Sequence, residues 1–422
     1  MPEPPDGAET PRARLYSEDA RELLRTETLD DPYPLFARLR RDAPIARIAD
    51  TGVHLVASWD LVEEALGRED DFSANLTGVL VADANGAPST FPLPDSGASH
   101  VIATADEPEH ALHRRIAQPR LTPARVARLE ADLRRWASES LGPFVTAGGG
   151  EFVPIAERIP ARAVARILGL PDGDVERHRR WAMMGGEMLA GRLEPERLGL
   201  LARESAAMAD YLGAALDAPA PAGDDDEPMR VALARAAAAG DLPREAAVGI
   251  AIVMFGAGGE STAALLASAV WVLARGPELV ERLRRDPGGI PRFVEEVARL
   301  ESPFRFHYRV VRRRCVLGGA RLEPGDRLML LWASANRDEQ HFEAADQLRL
   351  DRRHPKRHLG FGRGGHFCIG APLARLEARV LLEELLGRTS SIALAGAPVF
   401  APSVFVRRLE SLPLRVVATR PD

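Results

Sequence analysis

Residues Ala246 to Ala274 are almost continuously apolar and read as one long helix interrupted by GAGGEST, Gly256 to Thr262. A helix that is apolar all round is buried. A glycine inside a helix costs about 1 kcal/mol relative to alanine, so stability does not account for the interruption. The bland alternative is a buried helix with a tolerated polar patch. No stretch supplies about 18 uninterrupted apolar residues, and the polar N-terminus MPEPPDGAETPRARLYSEDA has no hydrophobic signal core, so no membrane attachment is expected. At 422 residues, 45% apolar and 27% charged, the chain has room for a large soluble core. A net charge of −6 gives no electrostatic basis for nucleic-acid binding. Two cysteines make no disulfide framework and point to a reducing, cytoplasmic compartment.

The pattern along the chain is mainly α with a small β portion. Residues 1–12 read as disordered and 13–422 as one large domain. A short helix is expected in Asp31 to Asp42, and a strand opening VHLVASWD, Val53 to Asp60, before a helix. Residues 79–105, rich in Gly, Ala, Ser, Pro and Asp, read as a long functional or disordered loop. APAPAGDDDEP, Ala218 to Pro228, reads as a solvated connector. Gly289 to Leu300 forms a helix, HYRVVRRRCVLGGARLEPGDRLMLLWASANRD short strands, and Ala371 to Gly387 a final helix with Leu373, Leu376, Leu381 and Leu385 on a helical period.

Between the strands and that last helix lies FGRGGHFCIG, residues 361–370, with four glycines and one of the two cysteines, Cys368. A lone cysteine is more often a small buried hydrophobe than a reactive group. A zinc site needs paired ligands, and a phosphate loop needs a Lys and a Ser or Thr after the glycines; the loop has neither. A nucleophilic thiol with a distant base remains open, as does a thiolate ligand to haem iron. The last explains the glycines, because backbone must approach a flat macrocycle without Cβ atoms in the way. A Gly-rich turn at a helix start also offers N–H groups to a thiolate.

Phe361, Gly364, Cys368 and Gly370 match the pattern F-x-x-G-x-x-x-C-x-G at every fixed position. The stretch resembles the haem loop of the cytochrome P450 superfamily, particularly its soluble bacterial monooxygenases. The resemblance implies haem b, with Cys368 as the iron ligand, Phe361 and Phe367 walling the metal site from water, and His366 reaching a haem propionate. It makes Glu296 and Arg299 of EEVARL the family's buried structural pair. The third arginine of that arrangement is missing from its usual place, where Gln347 and Leu348 stand, leaving Arg349 or His358 as substitutes. AGGEST resembles the family's oxygen-activation motif, with Glu260 feeding protons, Ser261 or Thr262 as the hydroxyl, and small residues opening a groove for O2. His110 and Arg114 match an H-x-x-x-R pair that grips a propionate, and Arg309 sits where another propionate arginine is placed.

By the same resemblance, substrate contacts come from the 79–105 loop, residues 183–190, Val253 to Ala257, and Phe304 and Phe306. Arg305 and His307 alternate with the phenylalanines and are expected to point away; turned inward, either favours a carboxylated or phenolic substrate. No dinucleotide turn or iron–sulfur cysteine set is present, so a ferredoxin and ferredoxin reductase are the expected electron source, docking on Arg114 or Arg115, Arg120, Arg363 and Arg375. The activity implied is oxidation by O2 of a small apolar or aromatic molecule, by association in specialised metabolism. The rivals are a peroxide-driven haem-thiolate hydroxylase, against which Glu260 and Ser261 argue, a non-catalytic haem carrier or gas sensor, and a cysteine hydrolase without haem.

Overall fold

In the computed structural model the described residues are 22–48, 50–93, 100–192, 194–220 and 227–419. The apolar segment forms a single helix, Arg244–Arg275, and GAGGEST does not break it. Among the described residues it is the one helix long and apolar enough to cross a membrane, yet most of that apolar stretch is buried inside the fold. The reason is packing: Val153–Leu168 lies along it most extensively, with Val175–Ala182, Pro195–Asp217, Ile290–Glu301 and Ala371–Arg388 around it. Phe255, Leu266 and Val270 of this central helix join Ile159, Phe293 and Leu381 in the largest core cluster.

The glycines of the central helix meet its neighbours. A Cβ on Gly259 would stand 2.4 Å from Ala182 Cβ, and one on Gly258 2.8 Å from Val164 Cγ2. Gly185 and Gly256 bring two backbones together, since a Cβ on Gly185 would lie 3.3 Å from Gly256 Cα. Small residues are therefore needed here for close helix approach.

The β portion is a five-stranded sheet in the order Ile45–Ile48, Val53–Val56, Arg327–Leu330, His307–Val311, Phe72–Ser73, with smaller sheets elsewhere. Arg327–Leu330 runs parallel to Val53–Val56, and the other pairings are antiparallel. Phe306, Tyr308, Met329 and Phe405 form a second core against it. The helices expected in Asp31 to Asp42 and at Gly289 to Leu300 are Tyr33–Asp42 and Ile290–Glu301. The final helix is Ala371–Arg388, entered through a proline in its first turn.

The 79–105 segment differs from expectation. Gly78–Ala82 pairs with Pro88–Pro92 as an antiparallel hairpin. Its turn is set by the Asp83 carboxylate, which accepts from the N–H groups of Asn85 and Ala87, and by Gly86 at φ 77°. Composition hid this DANG turn signal. Residues 1–12, 94–99 of the loop and 221–226 of the acidic connector lie outside the described residues.

Candidate active site

The cysteine loop is pressed onto the Ile290–Glu301 helix. A Cβ on Gly360 would lie 2.7 Å from Ala298 O, so only glycine fits that approach. Gly362 and Gly364 take φ of 68° and 70°, which glycine adopts without strain. Cys368 N–H donates to Phe361 O at 2.8 Å and closes the loop. The thiol is half-buried. Burial pushes its pKa up, while the N–H groups of Gly370 and Ala371 and the cations Arg375 and Arg114 pull it down. The helix start thus offers two amides to a developing thiolate. The other cysteine, Cys315, lies on the hairpin Cys315–Leu317/Ala320–Leu322 beside Arg68 and Arg313.

Phe361 packs against the main core under the Arg375 guanidinium, 4.4 Å from its ring centre. Phe367 is 41% exposed. Its carbonyl accepts from Arg114 Nη1 at 2.8 Å.

Three of the expected propionate residues come together with the loop. His110 and His366 stack with ring centres 3.9 Å apart, and His110 Nδ1 lies 2.7 Å from Glu107 Oε1. Burial and the neighbouring Arg309, His110 and Arg114 lower the His366 pKa to about 3. Its buried Nδ1 has no hydrogen-bond partner among the described residues. Arg309 is buried, donates to Tyr308 O, and has no carboxylate among the described residues within 4 Å. Burial lowers its pKa to about 10. Asp106 and Glu69 offset part of that burial from a distance, but a buried cation with no ion-pair partner in contact and a ring nitrogen without a partner are costly. Both are met by an anionic group seated beside the loop, so the donor set fits a haem with its two carboxylates.

Glu296 and Arg299 form a fully buried pair, Nε to Oε1 2.8 Å and Nη2 to Oε2 3.0 Å. Arg299 also donates to the carbonyls of Asn336, Ala345 and Gln347. The third cation is Arg352, whose Nε lies 2.9 Å from both Glu296 oxygens. Neither substitute named from the sequence takes that place. Arg349 gives Glu296 its backbone N–H, while its side chain pairs with Asp351 and Glu343. His358 pairs with Glu295 at 2.9 Å. Arg375 joins it there at 2.6 Å, making a second buried cluster that runs to the cysteine helix. The signal for Arg352 was present as the DRR run at 351–353.

Along the central helix, Val253 and Met254 are half-buried, Ala257 is exposed and Ser261 is half-buried, a face at i, i+3 and i+4 spacing. Ser261 Oγ donates to Ala257 O at 2.5 Å, and Thr262 is buried. Glu260 is buried on another side. It accepts from Gly186 N–H at 2.7 Å and faces Arg408. Burial raises its pKa to about 7 despite Arg408.

After Pro303 the structure departs from expectation at Phe306. Phe306 is buried in the second core, so it forms no open pocket wall. Phe304 is half-buried, stacked on Phe405 at 4.7 Å. Arg305 is buried and donates to Ser403 O and Leu29 O, a structural clamp that does not face solvent. His307 accepts from Trp332 Nε1 at 2.5 Å and shares a strand face with Arg309. Burial, then Arg309, lowers its pKa to about 3. The expected basic docking patch is largely internally paired: Arg120 with Glu227, Arg363 with Glu63, and Arg375 with Glu295.

Comparison with known proteins agrees with this geometry. The cytochrome P450 family model matches residues 290–391. Cytochrome P450 144 of Mycobacterium tuberculosis is 40% identical over 95% of this chain and 92% of its own length. The P450 monooxygenase PikC of Streptomyces venezuelae is 30% identical over 91% of each chain. Among solved structures, CYP108D1 of Novosphingobium aromaticivorans superposes with a TM-score of 0.82 at 29% identity, covering 96% of this chain and 99% of its own. CYP109E1 of Bacillus megaterium, solved with testosterone, gives 0.81 at 27% identity, covering 93% and 99%. The chain belongs to the cytochrome P450 family of bacterial monooxygenases, oxidoreductases that bind haem b with its iron held by a cysteine thiolate.

Proposed function

We propose that this P450 is a cytoplasmic, single-domain monooxygenase, fed by a ferredoxin and its reductase, that oxidises a small apolar or aromatic molecule, with Cys368 as the thiolate ligand. The observation that carries this reading is the half-buried Cys368 thiol facing the Gly370 and Ala371 amides, beside the buried Arg309, which no carboxylate among the described residues contacts, and the unpartnered His366 Nδ1. Haem held here would supply O2 activation, in which one oxygen atom goes to substrate and one to water with two electrons and two protons. The protein's own residues do the rest. The two amides hold the sulfur's negative charge. Arg309, His366 and the His110–Arg114 face receive the propionates. Ser261, on the open face of the central helix, supplies the hydroxyl to the oxygen site, and Glu260 relays protons to it. Val253, Ala257 and Phe304 offer an apolar wall, and two free thiols suit a reducing compartment.

The test is the absorption spectrum of the dithionite-reduced protein under carbon monoxide. Wild type and Cys315→Ser are expected to show the strongly red-shifted Soret band of thiolate-ligated haem, and Cys368→Ser to lose it. Retention of that band in Cys368→Ser refutes the ligand assignment. Coupled NADH oxidation with a ferredoxin pair, supported no better than without it, refutes the electron route.

A further inference from the structure

Glu295 and Glu296 are adjacent on the Ile290–Glu301 helix, and one residue turns a side chain by about 100° around the axis. The two buried carboxylates therefore serve different neighbours. Glu296 holds the guanidinium groups of Arg299 and Arg352. Glu295 meets the cysteine loop and the helix that follows it. It is 3% exposed and takes Arg375 in two bonds, Nε to Oε1 at 2.6 Å and Nη2 to Oε2 at 3.1 Å. The same Oε2 lies 2.9 Å from His358 Nε2. Burial pushes the Glu295 pKa up, but His358 and Arg375 outweigh it and hold it below the usual carboxylate value, so the group is ionised at neutral pH.

The hydrogen bonds fix His358 in one tautomer. Gly360 N–H donates to His358 Nδ1 at 3.1 Å, so that nitrogen accepts and the ring proton is on Nε2, toward Glu295. A Cβ on Gly360 would stand 3.0 Å from His358 Nδ1, so glycine serves this contact as well as the approach to Ala298 O. An imidazole that accepts at one nitrogen carries no charge. The cluster is then a carboxylate, a guanidinium and a neutral ring, with no net charge.

Arg375 is one of two cations whose field reaches the Cys368 thiol; the other is Arg114. Their surroundings differ. Arg114 donates to Phe367 O and Gln118 Oε1, both uncharged acceptors. Arg375, over the Phe361 ring of the loop, is neutralised by Glu295.

We propose that Glu295 masks the charge that Arg375 presents to Cys368, and so sets the potential at which the bound haem takes its first electron. This rests on the reading of Cys368 as the thiolate ligand. Glu295 acts through Arg375 and is a positioning residue. One-electron reduction adds a negative charge to the iron–thiolate unit, and a nearby cation favours that charge. With Glu295 ionised, much of the Arg375 field is cancelled and the oxidised form is favoured. With Glu295 neutral, the cluster carries one net positive charge and the reduced form gains. No group of the cluster gains or loses a proton in the step, and the electron is the one supplied by the ferredoxin.

The test is the reduction potential of the holoenzyme, by spectroelectrochemical titration. Glu295→Gln is expected to raise it and Arg375→Gln to lower it, each by about tenfold in the reduction equilibrium, which is about 59 mV for one electron. The double variant, again without net charge, should return close to wild type, as should Arg375→Lys, which keeps the charge. His358→Gln retains a donor toward Glu295 and an acceptor for Gly360, and should leave the potential in place. The infrared stretch of carbon monoxide on the reduced protein is the second readout. It should rise in Glu295→Gln, where the sulfur donates less, and fall in Arg375→Gln. Two single variants that shift the potential the same way mark a disturbed haem seat and overturn the masking. Unchanged potentials in both, with the red-shifted carbon monoxide band intact, overturn it too and leave the ligand reading standing. A fall in His358→Gln as large as in Arg375→Gln shows a charged ring and overturns the neutral cluster. Absence of the band in wild type refutes the ligand reading, and the masking with it.

Discussion

Arg352 is the cation that the sequence did not identify, and its removal is a sharp test of how the cysteine loop is supported. Glu296 is wholly buried and receives Arg299, Arg352 and the Arg349 N–H. Burial alone would push its pKa up; the Arg299 guanidinium, the Arg349 amide and Arg352 overcome that and hold it below the usual carboxylate value. Arg352→Gln removes one charge-assisted partner, worth about 1.5–3 kcal/mol, because Arg299 remains. Arg299→Gln removes the fully buried partner and should cost about 3–5 kcal/mol, the range for stripping one member of a buried pair. The two should differ in pH dependence from an uncharged packing defect. A carboxylate with a depressed folded pKa contributes stability that is present above its unfolded value and lost as pH falls through the folded one. The cost of Arg352→Gln is therefore full at pH 7 and shrinks once pH drops below the unfolded Glu296 value of 4.5. Urea unfolding followed by far-UV circular dichroism at neutral and acid pH measures this. An equal cost at both pH values, or a loss for Arg352→Gln as large as for Arg299→Gln, refutes the reasoning.

Gly259→Ala should destabilise the fold by about 1–2 kcal/mol in the same urea assay, since the overpacking cost against Ala182 exceeds the gain in helix propensity; unchanged stability would mean that the helices slide apart freely. Arg309→Met should stabilise the haem-free protein, by removing a buried cation that Asp106 and Glu69 offset only from a distance, and weaken haem retention at least about tenfold in transfer to an apo-globin acceptor; changes of the same sign in both would sink the propionate role. Glu260, with a folded pKa near 7 against an ordinary 4.5, contributes stability present below pH 4.5 and lost as pH rises to 7. That loss should be absent in Glu260→Gln, and a parallel stability–pH curve for the two proteins would refute the burial argument.

How much of this was legible in the chain follows from the reach of each signal. Local patterns carried far: the apolar run became the central helix, FGRGGHFCIG became a glycine loop at a helix start, and Glu296 and Arg299, three apart, lie on one helical face. In each case the interaction spans a few residues or depends on side-chain type alone. The stacked His110–His366 pair also followed, though only through resemblance to a family whose motifs recur in order.

What the tertiary structure alone decided are the choices made across long separations. The third partner of Glu296 was settled among Arg349, Arg352 and His358 by which guanidinium the chain path delivers to a fully buried carboxylate. That the glycines of GAGGEST pack closely was decided by Ala182, Gly185 and Val164, residues from other helices. Phe306 went into the second core, a placement set by Tyr308, Met329 and Phe405 rather than by any local signal. Arg408 joined Glu260 from far along the chain. Sequence determines which groups are available and their periodicity. Which of several equivalent charges reaches a given buried partner depends on packing, since desolvation makes the right geometry favourable and every near miss costly.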